Sequence, residues 1–272
     1  MKRVFAALGK ALVYFLIFLV TQTVVTILYS GAYAIVLLPD TSDPYLLAEE
    51  LLAHLDPALL LSNLVIILIY LLIAPMRRRS LRAHFDLEPM DRRGILPLIL
   101  LGFSSNLALN VLLGFIPFPE SWWEAYEASA ELVPMDFSVI SILSTAIVGP
   151  IAEELCFRGL MYTRLKSAMP AVLAALLSAA VFGAVHGAWI WFVYAFPLGL
   201  VMVWVFHRFR SLWASILLHI AFNLVNFLLL PVPESALPAL SVIGCILTAA
   251  SWYWICRLTK PAAPNMPDNG PC

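Results

Sequence analysis

Apolar residues fall in eight blocks along this chain, at 11–38, 57–75, 94–116, 137–160, 170–188, 189–207, 212–230 and 237–257. A bilayer-spanning helix needs about 20 predominantly apolar residues, so the blocks predict eight transmembrane helices, the fifth to seventh short or closely joined. The polar stretches at 45–55 and 122–132 read as acidic helices lying outside the hydrocarbon. Ala32-Tyr33-Ala34 has the small-x-small form of a cleavage site, but the apolar run before it is too long for a signal peptide, whose core is about 7–15 residues. The first block therefore reads as an uncleaved span. The predicted fold class is an all-α integral membrane protein with about eight transmembrane helices.

Composition agrees. Apolar residues make up 62% of the chain and charged residues 12%, and the mean hydropathy is +0.92. A soluble domain of this length has no means of hiding so much apolar surface. The formal net charge of −1 gives no ground for a nucleic-acid partner.

The placement of charge adds more. With eight spans, all 16 Lys and Arg fall on one side. Lys2, Arg3 and Lys10 precede the first span, and Arg77, Arg78, Arg79, Arg82, Arg92 and Arg93 lie between the second and third. Arg158, Arg164 and Lys166 end the fourth, Arg208 and Arg210 follow the sixth, and Arg257 and Lys260 follow the eighth. The opposite loops carry acids, among them Asp40, Asp56, Glu120, Glu131 and Glu234. The positive-inside rule then predicts a multi-pass protein of the plasma or inner membrane with both termini in the cytoplasm. Membrane lipids are the first partners implied; the basic 76–93 loop reads first as a topology determinant and also suits anionic headgroups. Trp122, Trp123, Trp189 and Trp191 fit an aromatic belt on the acidic side.

Organisation is simple. Residues 1–136 hold three N-terminal spans and the basic loop, 137–230 a helical core, 231–260 the last span, and 261–272 a tail expected to be disordered. Cys156, Cys245, Cys256 and Cys272 have no CxxC spacing, so neither a disulfide framework nor a zinc ribbon is implied. Cys156 reads as a small buried hydrophobe.

Chemistry concentrates in the core. Glu153, Glu154 and Arg158 interrupt the fourth block, and ionisable groups in hydrocarbon mark functional sites by default. On an α-helix Glu154 and Arg158 touch at i,i+4, while Glu153 is turned about 100° away. One acid is then held ionised while the other faces a different environment, which is how paired carboxylates acquire different roles. Phe182-x-x-x-His186 puts an aromatic beside an imidazole, and His219-x-x-x-Asn223 puts two hydrogen-bond donors on one face. His207-Arg208-Phe209-Arg210 reads as a topology and headgroup feature. At about 1.5 Å per residue, Glu153 lies roughly 22 Å and His186 roughly 27 Å from the turn near Ala168. His219 and Asn223 lie roughly 12 and 18 Å from Ser211. A shared polar cavity inside the membrane, opening toward the cytoplasm, is the expected site.

Such a set supports hydrolysis. A desolvated carboxylate accepts a proton from water, and donors aimed at an oxyanion stabilise a tetrahedral intermediate. Zinc is the competing use of Glu and His: HExxH spacing is absent, but Glu153, His186 and His219 from separate helices would make a ligand set. No cofactor is favoured.

These residues carry a resemblance. EELCFRG, FGAVH and SLWASILLHIAFN, in order within about 137–230, resemble the EExxxR, FxxxH and HxxxN/D motifs of the CPBP family. That family comprises the type II CAAX prenyl endopeptidases and their abortive-infection and bacteriocin-processing relatives. The resemblance implies an eight-helix intramembrane endopeptidase acting on a peptide or membrane-anchored protein. It makes Glu153 the general base and gives His186 the positioning of water or a proton shuttle. His219 and Asn223 would form the oxyanion hole, with Glu154 and Arg158 in support. Two rivals use the same residues. One is a non-catalytic immunity or partner-binding protein of the same fold, the other a proton-coupled transporter; the second lacks the paired broken helices or inverted repeats of secondary transporters.

Overall fold

A computed structural model of the chain describes residues 1–37, 43–76, 78, 80–131 and 135–259. The 261–272 tail lies outside the described residues. The described chain is helical, with no strand among the described residues, and it is an all-α integral membrane protein.

Helix α1 (Lys2–Leu37) is followed by α2 (Pro44–Ala53), α3 (Leu55–Met76) and the short α4 (Leu81–Phe85). A 3₁₀ turn at Arg92–Gly94 leads into α5 (Ile95–Gly114), and α6 (Glu120–Glu131) lies in the acidic loop. Next come α7 (Val139–Lys166), α8 (Ala171–Ala184), α9 (Trp189–Phe209), α10 (Leu212–Leu229) and α11 (Leu237–Leu258). The two acidic helices expected outside the hydrocarbon are α2 and α6.

Seven of these helices are long and apolar enough to cross a membrane. The fifth expected span is the exception. Residues 170–188 form a helix only from Ala171 to Ala184, 14 residues, about 21 Å at 1.5 Å per residue against a hydrocarbon core of about 30 Å. The helix stops at a turn containing Gly187, whose φ is +88°. Even so, the chain has returned to the α6 side: Trp189, the first residue of α9, stacks on Trp122 of α6 with ring centroids 5.6 Å apart.

Local sequence sets the helix starts. Ser80, Ser138 and Ser211 sit in extended conformation, and each accepts a hydrogen bond from a main-chain N–H two or three residues on. These bonds satisfy donors that the first turn of a helix leaves orphaned.

Helix α7 is the centre of the packing. Phe157 meets Phe18 of α1 at 5.7 Å and Phe182 of α8 at 5.3 Å between ring centroids. Ser178 of α8 donates to the Phe157 carbonyl at 2.9 Å. On the far side, α5 is pressed between α10 and α11. A Cβ at Gly102 would lie 2.3 Å from the Leu218 carbonyl oxygen, and one at Gly244 2.6 Å from the Leu107 side chain. Small residues let transmembrane backbones approach where lipid offers no hydrophobic drive for association, and polar side chains add hydrogen bonds across the seam. Asn106 donates to the Phe222 carbonyl at 3.0 Å and to Asn226 at 2.9 Å; Thr248 donates to Ser104 at 2.9 Å.

On the basic face, α4 tucks under α7. His84 and Phe85 are buried, and the Leu212 N–H donates to the Asp86 carbonyl at 2.9 Å. The basic loop is therefore fixed to the start of α10.

Candidate active site

The carboxylates of α7 stand at a change of helical register. Residues Ile142–Val148 form a π-helix, Gly149–Glu154 an α-helix and Leu155–Tyr162 a second π-helix. Pro150 lacks an N–H for the carbonyl four residues back, so the ladder has to shift where it enters. Single π turns inside α-helices recur at functional sites. Glu153 and Glu154 are the last two residues before the second shift.

Arg158 remains within reach of Glu154 despite the wider turn. Its Nη1 donates to Glu154 Oε1 at 2.7 Å, and neither side chain is exposed. Its Nη2 donates to the Gly199 carbonyl of α9 at 3.3 Å, and the guanidinium lies 4.3 Å from the centroid of the Phe182 ring. Gly199 makes this possible. A Cβ there would lie 3.0 Å from Ala179 and 3.3 Å from Arg158 Nη2, so a side chain would push α9 off the guanidinium.

His219 of α10 joins the two acids. Its Nδ1 is 3.0 Å from Glu154 Oε1, and its Nε2 is 3.6 Å from Glu153 Oε2. The turn of about 100° between neighbouring residues was expected to part the carboxylates, yet both face one imidazole, because the ring offers nitrogens on opposite edges. Their environments still differ: the Glu153 side chain is 24% exposed and that of Glu154 is not exposed at all.

Phe182 separates the two histidines. Its ring is edge-on to His186 at 5.0 Å and to His219 at 5.8 Å. His186 donates from Nδ1 to the Phe182 carbonyl at 2.8 Å. A carbonyl can only accept, so Nδ1 carries the hydrogen and Nε2 is left as the free nitrogen. His186 lies within electrostatic reach of Glu153 and His219. Above it, Trp191 stacks on the ring at 5.7 Å, and Trp191 in turn meets Tyr126 of α6 at 5.3 Å. One of the four tryptophans expected to form an aromatic belt, Trp191, thus roofs the His186 end of the cluster.

Asn223 donates to the Thr145 carbonyl at 2.9 Å, which engages one hydrogen of its amide and leaves the other. His207 and Arg208, near the end of α9, stand apart from the cluster. Cys156 is buried, 3.9 Å from the Tyr14 carbonyl, as a small core residue. Cys156, Cys245 and Cys256 are all free.

Arg158 and Glu154 neutralise one another, leaving Glu153 and the Nε2 edge of His219 facing each other. With Nδ1–H donated to Glu154, a neutral His219 presents a lone pair toward Glu153, whereas an imidazolium presents a second N–H. Acting as an oxyanion donor through Nε2 therefore requires the protonated ring. A separation of 3.6 Å is too long for a direct hydrogen bond and too short to hold a water between the two atoms, so a water meeting both would sit at the open edge of the pair.

Reasoning from motifs missed several participants. Thr145 contributes only a carbonyl group, and Gly199 a carbonyl and the absence of a Cβ, which no motif records. Ser215 lies within electrostatic reach of Glu154, its hydroxyl donating to the Leu212 carbonyl at 3.1 Å; it stands four residues before His219 on the same helical face, and that spacing was the available signal. Trp191 had been assigned to the membrane interface. Among the described residues, no three His, Cys, Asp or Glu side chains gather as a metal-ligand set.

Comparisons with known proteins agree with the motifs. Residues 135–225 match the family model described as type II CAAX prenyl endopeptidase Rce1-like, so the resemblance borne by the three motifs holds for this third of the chain. Two curated bacterial proteins are similar. The UPF0177 protein YbdJ of Lactococcus lactis is 34% identical over 88 residues, covering 31% of this chain and 36% of that protein. The "Putative membrane peptidase YdiL" of Bacillus subtilis is 29% identical over 84 residues, covering 31% of this chain and 34% of that protein. The chain thus spans about a third of the length of each of these relatives. No solved structure matches.

Removing Arg158 strands the Glu154 carboxylate in low dielectric, where breaking a buried pair costs about 3–5 kcal/mol. Thermal unfolding in detergent should show Arg158→Ala strongly destabilised. Arg158→Lys should recover only part of the loss, because one ammonium lacks the planar fork that meets Glu154, the Gly199 carbonyl and the Phe182 ring together. A wild-type melting temperature in Arg158→Ala would refute this account of the triad.

Proposed function

We propose that this protein is an intramembrane endopeptidase that hydrolyses a peptide bond of a membrane-associated peptide or protein, with Glu153 as the general base. The observation carrying the reading is the His219 bridge between one partly exposed and one fully buried carboxylate. Glu154, paired with Arg158, is committed to orienting the ring through Nδ1. That leaves Glu153 and the Nε2 edge as the working pair.

A water beside the Glu153 carboxylate, at the open edge it shares with His219 Nε2, would lose its proton to Glu153 as its oxygen attacks the carbonyl carbon. The oxyanion that forms would be met by the remaining amide hydrogen of Asn223. Transfer of the proton from Glu153 to His219 yields an imidazolium held by Glu154, able to donate to the oxyanion and then to the departing amine. His186, with Nε2 free, would position the water or relay its proton. The similarity of residues 135–225 to the CAAX-type family supports this reaction class.

Glu153→Gln keeps the size of the side chain and removes its basicity, so it should abolish peptide cleavage in liposomes while leaving thermal stability near wild type. Asn223→Ala should retain residual activity, since losing one oxyanion donor costs about 100- to 1000-fold in kcat. Cleavage at a near wild-type rate by Glu153→Gln would remove Glu153 as the base. Absence of any Glu153-dependent change in membrane-protein termini would favour instead a partner-binding protein of the same fold.

We read the reaction as independent of metal, because among the described residues Glu153, His186 and His219 are not gathered as a ligand set. Purified protein should contain no stoichiometric zinc and should cleave after exhaustive chelation. Close to one zinc per chain, lost in His186→Ala and His219→Ala, would reverse the assignment.

We also propose that both termini and the basic 76–93 loop are cytoplasmic, with α6 on the opposite side, in a bacterial-type plasma or inner membrane. The one-sided placement of Lys and Arg supports this. In intact cells, an impermeant thiol reagent should label a single-cysteine variant at Ser129 and spare one at Ser80; the converse pattern would invert the topology.

A further inference from the structure

Far from the carboxylates, on the basic face, the start of α5 and the ends of α9 and α11 surround a cavity of roughly 200 Å³. It is lined by Asp91, Gly94, Arg208, Phe209, Leu258 and Thr259. Its charge is unbalanced. Asp91, the acid in the lining, is already occupied: Arg93 Nε reaches its two oxygens at 3.1 and 3.0 Å, and Arg93 Nη2 reaches one of them at 2.6 Å. Those bonds hold the Asp91 carboxyl below its usual range. Among the described residues Arg208 has no such partner. Its Nε is buried without a hydrogen bond among the described residues, and its guanidinium lies 5.7 Å from the Trp204 ring.

The rest of the cavity is apolar. Phe209 and Leu258 line it, and one helical turn deeper Trp204 lies flat on Trp252, with centroids 3.9 Å apart and planes at 6°. The Thr259 hydroxyl is spent on the Ile255 carbonyl at 2.8 Å, so it competes for no anion. The site thus offers one uncompensated forked cation at the depth of the headgroups and an aromatic wall below it. Guanidinium groups bind phosphate oxygens in paired hydrogen bonds, and basic pockets between helices on this face bind lipid headgroups.

We propose that this cavity binds the phosphate of one anionic molecule through Arg208, and that its amphipathic build suits a glycerophospholipid whose upper acyl chain lies along Phe209 and Leu258. This site is independent of any hydrolysis at Glu153.

Native mass spectrometry of the full chain, delipidated in neutral detergent and titrated with phosphatidylglycerol or phosphatidylcholine, tests it. Phosphatidylglycerol should load to one copy ahead of phosphatidylcholine. Arg208→Gln should raise the concentration for half-loading about fivefold or more, the factor that one basic residue contributes at an anionic surface. Arg208→Lys, which keeps the charge without the fork, should fall between, and remains informative if Arg208→Gln fails to fold. Arg3→Gln, at an exposed site on the same basic face, should leave loading unchanged. A parallel thermal-shift titration with inorganic phosphate separates the two sources: Arg208-dependent stabilisation by phosphate alone identifies a free anion, and lipid-only loading identifies a headgroup. Equal loading of the two lipids, loading indifferent to Arg208→Gln, or an equal loss in Arg3→Gln would overturn the site.

Discussion

Arg158 and Glu154 lie side by side in a membrane-crossing helix, and neither side chain is exposed. Removing either charge from water costs several kcal/mol even after relaxation, so the surrounding structure has to return that energy in contacts. It does so from four directions: the Gly199 carbonyl, the Phe182 face, the His219 ring and the carboxylate itself. Each comes from a different part of the fold, so α7, α8, α9 and α10 are tied together at one point. The glycine in α9, the aromatic in α8 and the histidine in α10 are intelligible as conditions for keeping one guanidinium dry.

The same constraint produces the asymmetry between the acids. Glu154 is committed to charge balance, and its neighbour is released from that duty by the register shift at Leu155. Glu153 alone keeps a partly exposed side chain. An α-helix uninterrupted by π turns would place these groups on a different pitch.

Much of this was legible in the sequence, because charge in hydrocarbon is conspicuous. The all-helical membrane class followed from the apolar blocks, and the ordered motifs singled out Glu153, Glu154, Arg158, His186, His219 and Asn223 before their geometry was known. Where the reading stopped short, the cause is physical. The bridging of both acids by His219 depends on a ring having two edges and on π turns that no periodicity argument anticipates. Thr145 acts through a carbonyl common to every residue, and Gly199 through its carbonyl and through a missing side chain that no motif flags. The shortness of α8 was hidden because apolar residues continue past Ala184 at Val185, Ala188 and Ile190. The residues outside 135–225 serve the site indirectly: Tyr70 of α3 donates to the Tyr14 carbonyl at 2.8 Å, and that carbonyl faces Cys156 in the middle of α7.

Helix α8 has one more consequence. A rigid element of about 21 Å set in about 30 Å of hydrocarbon leaves lipid and protein out of step by roughly 9 Å, and lipid is the softer partner. The bilayer responds to short hydrophobic segments by thinning, at a cost of fractions of a kcal/mol per ångström. A bilayer that thins to match α8 would bring the aqueous boundary beside the α8–α9 hairpin toward the depth of His186, and water would then have a shorter path to the buried site.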